Sequence, residues 1–235
     1  EYPYRTVLQD SVCESICFNL KNLGYHAQAM HNNTGHFYDR YEVYEQLGFD
    51  IFTSLEYMDD YETTPLGWCK DQVLTKEIIG ALNTTVGSDI LYTVSVQGHG
   101  SYPTEKILEK PVFKVKGLPT EEEKNAMEYY IAQIHEMDDF VKELTDTLSD
   151  FSEPTILVMY GDHLPSLDLT ADKLKNGDEF QTEYIIWDNM GLKRKTKDLE
   201  AYQLGAEVLN RIGISTGTMT CYHQAYLQEK KHSKK

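Results

Sequence analysis

Asp162 and His163 lie just after a short apolar run, Thr155 to Tyr160, and one residue, Gly161, stands between the run and the pair. The run reads TILVMY, which is typical of a strand buried on both faces of a parallel sheet. Ligands of open α/β sheets bind just beyond the carboxyl ends of the strands. A carboxylate and an imidazole at that point offer oxygen and nitrogen ligands to a divalent ion such as Mn²⁺ or Zn²⁺. The alternative is a strand-ending turn in which the aspartate caps the bend and the histidine has no chemical role.

Two further strand ends carry histidines. His31 follows a predicted strand at residues 25–30, and the polar loop after it continues to Arg40. Arginine suits phosphate because its planar guanidinium donates two hydrogen bonds at once, and a histidine can donate beside it. His99 stands between two glycines after a predicted strand at residues 90–96, and glycines let the backbone turn tightly and approach a ligand. For each of these residues, a solvated loop position is the alternative.

Strands and helices alternate along the whole chain, which predicts an α/β fold with a mostly parallel sheet and helices on both faces. Thr120 and Glu123 form a capping box that opens the longest predicted helix. No repeat or linker interrupts the pattern, so residues 1–235 are expected to form a single domain. The predicted helices cover residues 6–23, 41–47, 66–82, 120–148, 199–212 and 219–228, and the predicted strands cover 25–30, 50–55, 90–96, 155–160 and 182–187.

Composition excludes several function classes. A formal net charge of -16 argues against binding nucleic acid and against electrostatic adhesion to an anionic membrane surface. No apolar run approaches the roughly 20 residues that a membrane span needs, and nothing resembles a signal peptide, so the chain as given is expected to be soluble. It begins at Glu1 without a methionine and is expected to be a piece of a longer protein.

Three motifs together carry a family resemblance: AMHNNTGHFYDRYEVYEQLGFD, then VSVQGHGSYP, then MYGDHLP. In this order and at these separations they resemble the lipoteichoic acid synthase family of the alkaline phosphatase and sulfatase superfamily. The resemblance extends from the first predicted helix to about Ile212. It implies an extracellular phosphoglycerol transferase with a threonine nucleophile and a Mn²⁺-type metal, with Mg²⁺ or Zn²⁺ as alternatives. The implied reaction moves glycerol phosphate from phosphatidylglycerol to a cell-envelope polymer.

The resemblance also implies roles for single residues. Asp162 and His163 match the metal-binding Asp-His pair of the family. Tyr38 stands where close relatives have tryptophan, which implies stacking or shape recognition by this ring. The residues that match the pocket for the glycerol phosphate head group are His31, Tyr38, Arg40 and His99.

One departure from the family concerns the nucleophile. The nucleophilic threonine and a glutamate metal ligand of the family lie in a segment before the first predicted helix, and this chain begins after that point. The resemblance therefore implies that an N-terminal slice is missing and that no catalytic nucleophile lies within the chain. It also implies a fragment that does not turn over substrate alone, and a membrane anchor present only in the full-length protein.

Three alternative functions stay open at this stage. A phosphodiesterase or phosphatase of the same superfamily would use water as the acceptor. A sulfatase would need a C-x-P-x-R or S-x-P-x-R run, and the sequence contains neither. A non-catalytic module would bind glycerol phosphate polymers without a nucleophile.

Overall fold

The computed structural model of the protein describes residue 6 and residues 11–232, with side chains described as far as residue 226. The chain forms two compact units. The first unit comprises Glu1–Met58, Ile78–Val94 and Lys193–Lys235, and the second comprises Asp59–Glu77 and Ser95–Leu192. Within residues 11–232 the helices are α1 (Ile16–Lys21), α2 (Arg40–Gln46), α3 (Val73–Thr84), α4 (Glu121–Ser149), α5 (Leu204–Arg211) and α6 (Thr218–His232). The strands are β1 (His26–His31), β2 (Ile51–Ser54), β3 (Asp89–Val94), β4 (Ile156–Tyr160) and β5 (Tyr184–Asp188).

A three-stranded parallel sheet in the order β2-β1-β3 forms the first unit's centre. The central strand β1 is the most buried, because Ala27, Ala29 and Met30 are at most 2% exposed. At its carboxyl end, His31 lies opposite Ser54 of β2 and Val94 of β3. The predicted parallel sheet is therefore confirmed in this unit. Its carboxyl edge carries the first of the candidate site residues.

The first helix is shorter than its apolar spacing predicts. The prediction of a helix over residues 6–23 is wrong for residues 11–15, which are not helical, while residues 7–10 lie outside the described part of the chain. The Ser15 hydroxyl accepts a hydrogen bond from the Phe18 amide at 3.3 Å and donates one to the Leu47 carbonyl at 2.6 Å. A serine that satisfies the first free amides of a helix fixes its start at the next residue. The helix therefore begins at Ile16.

The second unit contains the long helix α4 and the pair β4-β5. The prediction that the run at residues 155–160 forms a doubly buried strand of the parallel sheet is wrong, because β4 pairs antiparallel with β5. Ile156 through Met159 are only partly buried, and Tyr160 is 50% exposed. An apolar run of five or six residues indicates a strand but carries no information on the direction of its partner.

A hairpin turn shortens the predicted helix at residues 66–82. The Thr64 amide donates to the Trp68 carbonyl at 2.7 Å, and the Lys70 amide donates to the Glu62 carbonyl at 2.8 Å. Residues 62–70, called the 62–70 hairpin below, are thus tied into a turn and cannot join the helix. The structure accordingly starts α3 at Val73. Among the described helices, none combines the length and the apolar character needed to cross a bilayer.

Helix α4 begins as the sequence predicts. The Thr120 hydroxyl accepts from the Glu123 amide at 3.2 Å, and the Glu123 carboxylate accepts from the Thr120 amide at 3.1 Å. This reciprocal pair is the predicted capping box, and it satisfies two amide groups that the first helical turn leaves without partners.

We expect Thr120→Ala to lower the free energy of unfolding by about 1 kcal/mol, because alanine cannot accept the Glu123 amide. The measurement is a urea denaturation curve followed by circular dichroism. Ser152→Ala, in the exposed loop after α4, serves as the control and should leave the midpoint unchanged. Equal midpoints for both variants would show that the capping box does not stabilise the helix.

Candidate functional site

His31 lies at the carboxyl end of β1 and is 4% exposed. A parallel strand buried on both faces places its last residue at the sheet edge where α/β proteins bind ligands. The loop from Asn32 to Asp39 leaves this edge and leads into α2, which begins at Arg40. The structure therefore places the predicted residues His31, Tyr38 and Arg40 in one segment of the first unit.

Hydrogen bonds hold this loop in one shape. Arg40 Nη1 donates to the Thr34 carbonyl at 2.6 Å, and its guanidinium lies 5.2 Å from the centroid of the Phe37 ring. Both carboxylate oxygens of Glu56 accept from the Gly35 amide, at 3.1 and 3.2 Å. A Cβ at Gly35 would lie 2.3 Å from the Tyr41 ring, so any larger residue there would force that ring to move. The guanidinium is thus held in place before any ligand arrives.

Glu56 is a positioning residue that the sequence did not point to. The nearby Ser54 hydroxyl, together with the Gly35 amide and His36, lowers the pKa of Glu56 below its ordinary value. The carboxylate therefore stays ionised and keeps its hold on Gly35 at neutral pH.

Tyr38 has an unusual backbone conformation. Its φ is 60° and the φ of Asp39 is 53°, so two successive residues adopt the left-handed conformation that glycine and asparagine prefer. Strain of this kind concentrates at functional sites, where neighbouring contacts enforce it. The Tyr38 ring is 47% exposed and lies 4.2 Å from the Phe37 ring, measured between centroids. The ring is therefore accessible to a ligand.

His99 lies in the second unit and is exposed. Its Nδ1 is hydrogen-bonded to the Gly100 carbonyl. Because a carbonyl oxygen only accepts, Nδ1 carries the proton, and Nε2 is the atom that can meet a substrate. The Trp68 ring contacts the imidazole edge-on, with 5.2 Å between the centroids. Trp68 therefore limits the orientations that the imidazole can adopt.

The buried residues Asp71 and Gln97 form a hydrogen-bonded pair, called the bracket below, next to the chain segment that leads to His99. Asp71 is 0% exposed and Gln97 is 2% exposed. Asp71 Oδ1 accepts from the Val96 and Gln97 amides at 3.3 and 3.2 Å, and Gln97 Oε1 accepts from the Asp71 amide at 2.8 Å. After β3 the chain passes through Val96 and Gln97. The bracket therefore fixes the direction in which the chain reaches His99.

The loop that carries His99 also touches the loop that carries Asp162 and His163. A Cβ added at Gly100 would lie 2.6 Å from the Ser166 hydroxyl oxygen, so the two loops pack closely at this glycine. The Tyr102 hydroxyl donates to the Gly98 carbonyl at 2.8 Å and braces the same loop. Burial raises the pKa of Tyr102 to about 12, so the hydroxyl keeps the proton that it donates.

Asp162 and His163 point toward each other after β4. The Asp162 Oδ1 accepts from the His163 amide at 2.9 Å, and His163 Nδ1 lies 2.8 Å from the Leu164 carbonyl. This second contact assigns a proton to Nδ1, so in the neutral imidazole the lone pair lies on Nε2. That Nε2 lies 3.5 Å from Asp162 Oδ2, and both side chains are more than two-thirds exposed. The two atoms form an ion pair when the imidazole carries two protons, and in the neutral imidazole both can bind one cation.

This pair alone is an incomplete metal shell. Two ligands bonded to one cation at 2.0–2.2 Å stand about 3 to 3.4 Å apart, which is close to the observed separation. No group of three or more histidine, cysteine, aspartate or glutamate side chains that could hold a metal exists among the described residues. The pair fits two positions of a metal shell.

The predicted site residues fall into two sets. His31, Tyr38 and Arg40 belong to the first unit, whereas His99, Asp162 and His163 belong to the second. The convergence of His31, Arg40 and His99 near the Asp162–His163 pair stays a prediction. The residues that sequence reasoning missed are Glu56, Trp68, Asp71 and Gln97. A signal existed only for Asp71, because an aspartate shortly before an apolar helical pattern is a candidate N-cap.

Comparisons with known proteins agree on the fold family. Residues 2–214 match the family model described as Sulfatase. Two proteins of Rhizobium meliloti (strain 1021) are similar in sequence. The "Putative cyclic beta-1,2-glucan modification protein" is 28% identical over 227 residues, covering 90% of this chain and 35% of that protein. The "Capsular polysaccharide biosynthesis protein RkpI" is 24% identical over 169 residues, covering 71% of this chain and 28% of that protein.

Solved structures show the same fold. The Streptococcus pyogenes phosphoglycerol transferase GacH, in complex with sn-glycerol-1-phosphate, superposes with a TM-score of 0.73 at 21% identity, over 89% of this chain and 55% of that chain. The lipoteichoic acid synthase LtaP from Listeria monocytogenes superposes with a TM-score of 0.63 at 20% identity, over 93% of this chain and 57% of that chain. An alkaline phosphatase superfamily protein from Vibrio parahaemolyticus superposes with a TM-score of 0.55 at 19% identity, over 86% of this chain and 48% of that chain. The chain thus spans about a third of the two curated relatives and about half of these structures.

We expect Asp71→Ala to lower the free energy of unfolding by about 2 kcal/mol or more, because it leaves the buried Val96 and Gln97 amides without their acceptor. Asp71→Asn keeps a carbonyl oxygen at that position, so its free energy of unfolding should fall by less. Urea denaturation measures both effects, and hydrogen exchange at the Val96 and Gln97 amides should accelerate in the alanine variant. A wild-type exchange rate in Asp71→Ala would contradict the bracket.

Proposed function

Because the chain belongs to the Sulfatase family, we propose that it forms part of a metal-dependent phosphoglycerol transferase. The enzyme would move glycerol phosphate from a phospholipid such as phosphatidylglycerol to a hydroxyl group of a cell-envelope glycan, on the outer face of the membrane. In the full-length protein a membrane anchor would hold it there. The observation that carries this proposal is the facing pair of Asp162 Oδ2 and His163 Nε2, 3.5 Å apart.

The geometry of that pair suits a bound cation. In the neutral imidazole with its proton on Nδ1, the Nε2 lone pair and the Asp162 carboxylate can both coordinate one ion. A divalent ion such as Mn²⁺, Mg²⁺ or Zn²⁺ accepts this set of ligands, and the Leu164 carbonyl orients the imidazole as carbonyl groups do behind metal-bound histidines. The Asp162 and His163 side chains would therefore hold the metal. When bound, it would supply positive charge for the phosphate oxygens and activate a hydroxyl.

The loop of the first unit supplies the chemistry for a phosphate head group. Arg40 is held by Thr34 and Phe37, so less conformational entropy is lost when its guanidinium binds a phosphate oxygen. His31 would bind beside it, and the exposed Tyr38 ring would pack against the glycerol carbons. His99 Nε2 would accept a hydrogen bond from a glycerol hydroxyl. The complex of GacH with sn-glycerol-1-phosphate supports this choice of ligand.

The names of the sequence relatives support a carbohydrate acceptor. One is named for modification of a cyclic beta-1,2-glucan and the other for biosynthesis of a capsular polysaccharide. In the proposed reaction the bond between phosphorus and the diacylglycerol oxygen breaks, and a bond between phosphorus and a sugar oxygen forms. The sugar hydroxyl loses its proton and diacylglycerol gains one, so the transfer needs no redox partner.

The metal pair is tested by titration with Mn²⁺. Asp162→Asn and His163→Ala should each weaken Mn²⁺ binding at least about tenfold, because each removes one ligand. Asp138→Asn, at an exposed position of α4, is the matched control and should bind as the wild type does. Isothermal titration calorimetry gives the dissociation constants. Equal affinities in all four proteins would remove the basis for the metal.

The reaction is tested with the full-length protein, phosphatidylglycerol vesicles, Mn²⁺ and a β-1,2-glucan. We expect release of diacylglycerol together with phosphoglycerol on the glucan, whereas a hydrolase would release free glycerol phosphate. Arg40→Ala should slow the release of diacylglycerol about ten- to hundredfold, since it removes a charge-assisted hydrogen bond. Its Mn²⁺ affinity should stay at the wild-type value. An unchanged rate in Arg40→Ala would refute the assigned role of this arginine.

A further inference from the structure

A cavity of about 400 Å³ lies in the second unit, and none of the proposed site residues lines it. The 62–70 hairpin, the loop around residues 108–112 and one face of α4 surround it. Pockets that bind small molecules have volumes of roughly 300–1,000 Å³, so a ligand of modest size fits. No role has yet been assigned to this cavity.

The lining combines apolar walls with polar groups. Leu108 and Val112 provide apolar surface, and Lys70, Gln133 and Glu136 provide donors and acceptors. Gln133 is only 2% exposed, and its Oε1 accepts from Gln97 Nε2 at 3.1 Å, so the amide is held in a fixed orientation. A small set of fixed polar groups within apolar walls is the usual composition of a specific ligand site.

The charges in this cavity favour a neutral ligand. Lys70 Nζ lies 3.3 Å from a carboxylate oxygen of Glu136 and 3.3 Å from one of Glu62. Burial by itself lowers the pKa of Lys70, but these two carboxylates raise it above its ordinary value, so the ammonium stays charged and balanced. Lys110 also lines the cavity, so the two ammonium groups of Lys70 and Lys110 stand against the two carboxylates of Glu62 and Glu136, and the formal charges cancel. A ligand with hydroxyl groups can accept from Lys70 and donate to Glu136.

A short covalent and hydrogen-bonded path connects this cavity to His99. Gln97 Nε2 donates to Glu136 at 2.6 Å as well as to Gln133, and Gln97 lies two residues before His99 in the chain. The 62–70 hairpin lines the cavity through Lys70 and contacts the His99 imidazole through Trp68. A ligand in the cavity would therefore lie beside the loop proposed to bind the glycerol.

We propose that this cavity binds a sugar ring of the acceptor glycan. A sugar has apolar C–H faces for Leu108 and Val112 and hydroxyl edges for Lys70, Gln133 and Glu136. It carries no charge, which suits the balanced lining and a protein with a net charge of -16. The inference rests on the proposed transferase function, because it assigns the substrate class of the acceptor.

The test is an NMR titration with a β-1,2-linked glucose trisaccharide, without Mn²⁺ and without phospholipid. Ala132→Trp fills the cavity from α4 and should weaken binding at least about tenfold. Asp139→Trp, at an exposed position of the same helix, is the matched control and should bind as the wild type does. Val112→Ala trims one apolar wall at a residue that is 65% exposed, where folding is not at stake, and should weaken binding several-fold.

Each outcome decides the inference. Trisaccharide binding that Ala132→Trp and Val112→Ala weaken, and that Asp139→Trp does not, supports it. Absence of binding to the wild type at millimolar sugar, or binding that neither cavity variant alters, overturns it. Inorganic phosphate that competes with the sugar for the cavity would also overturn it, because the ligand would then be an anion. A sugar that binds here while phosphoglycerol transfer fails would leave the site standing and refute the transferase function alone.

Discussion

The second unit depends on one buried carboxylate, that of Asp71. Where a strand ends, its amide groups lose their partners in the sheet, and each buried amide left unpaired costs about 1–3 kcal/mol. Asp71 Oδ1 accepts from the Val96 and Gln97 amides, which are the first buried ones after β3. The Gln97 side chain then bonds to Gln133 and Glu136 of α4. The Asp71 acceptor thus sets the path of the chain to His99, and the Gln97 side chain joins that path to the longest helix.

Local patterns in the sequence predicted most of the elements because the forces behind them are local. The capping box at Thr120 involves residues three apart, and the strand β1 follows from the alternating run Tyr25 to Met30 after the turn at Gly24. Partners distant in sequence were not predictable in this way. The Ser15 hydroxyl, besides capping the first helix, donates a hydrogen bond to the Leu47 carbonyl, and β4 takes an antiparallel partner. Neither event leaves a periodic signal, because both depend on residues about 30 positions away.

The residues of the candidate site divide in the same way, into those with a local signal in the sequence and those without one. Residue types at strand ends indicated Asp162 and His163, and the structure places their Oδ2 and Nε2 atoms 3.5 Å apart. Trp68 and Gln97 escaped notice because they appear as ordinary turn and loop residues. Their importance lies in contacts with His99 and with α4, which no spacing rule encodes. Residues that support a site are harder to find in a sequence than residues that carry its chemistry, since support needs only shape and a donor or acceptor.

The net charge of -16 constrains how this protein can bind a phosphate ester. Long-range attraction cannot collect an anionic lipid on an acidic surface, and charges separated by more than about 10 Å are screened at ordinary salt. Binding must therefore come from contacts at hydrogen-bond distance and from a local positive charge. Asp162 Oδ2 and His163 Nε2 lie 3.5 Å apart, which is close to the separation of two ligands on one cation. The proposed metal would supply that local positive charge, because an ion held by these two side chains would attract the phosphate at a point where the net charge of the protein repels it.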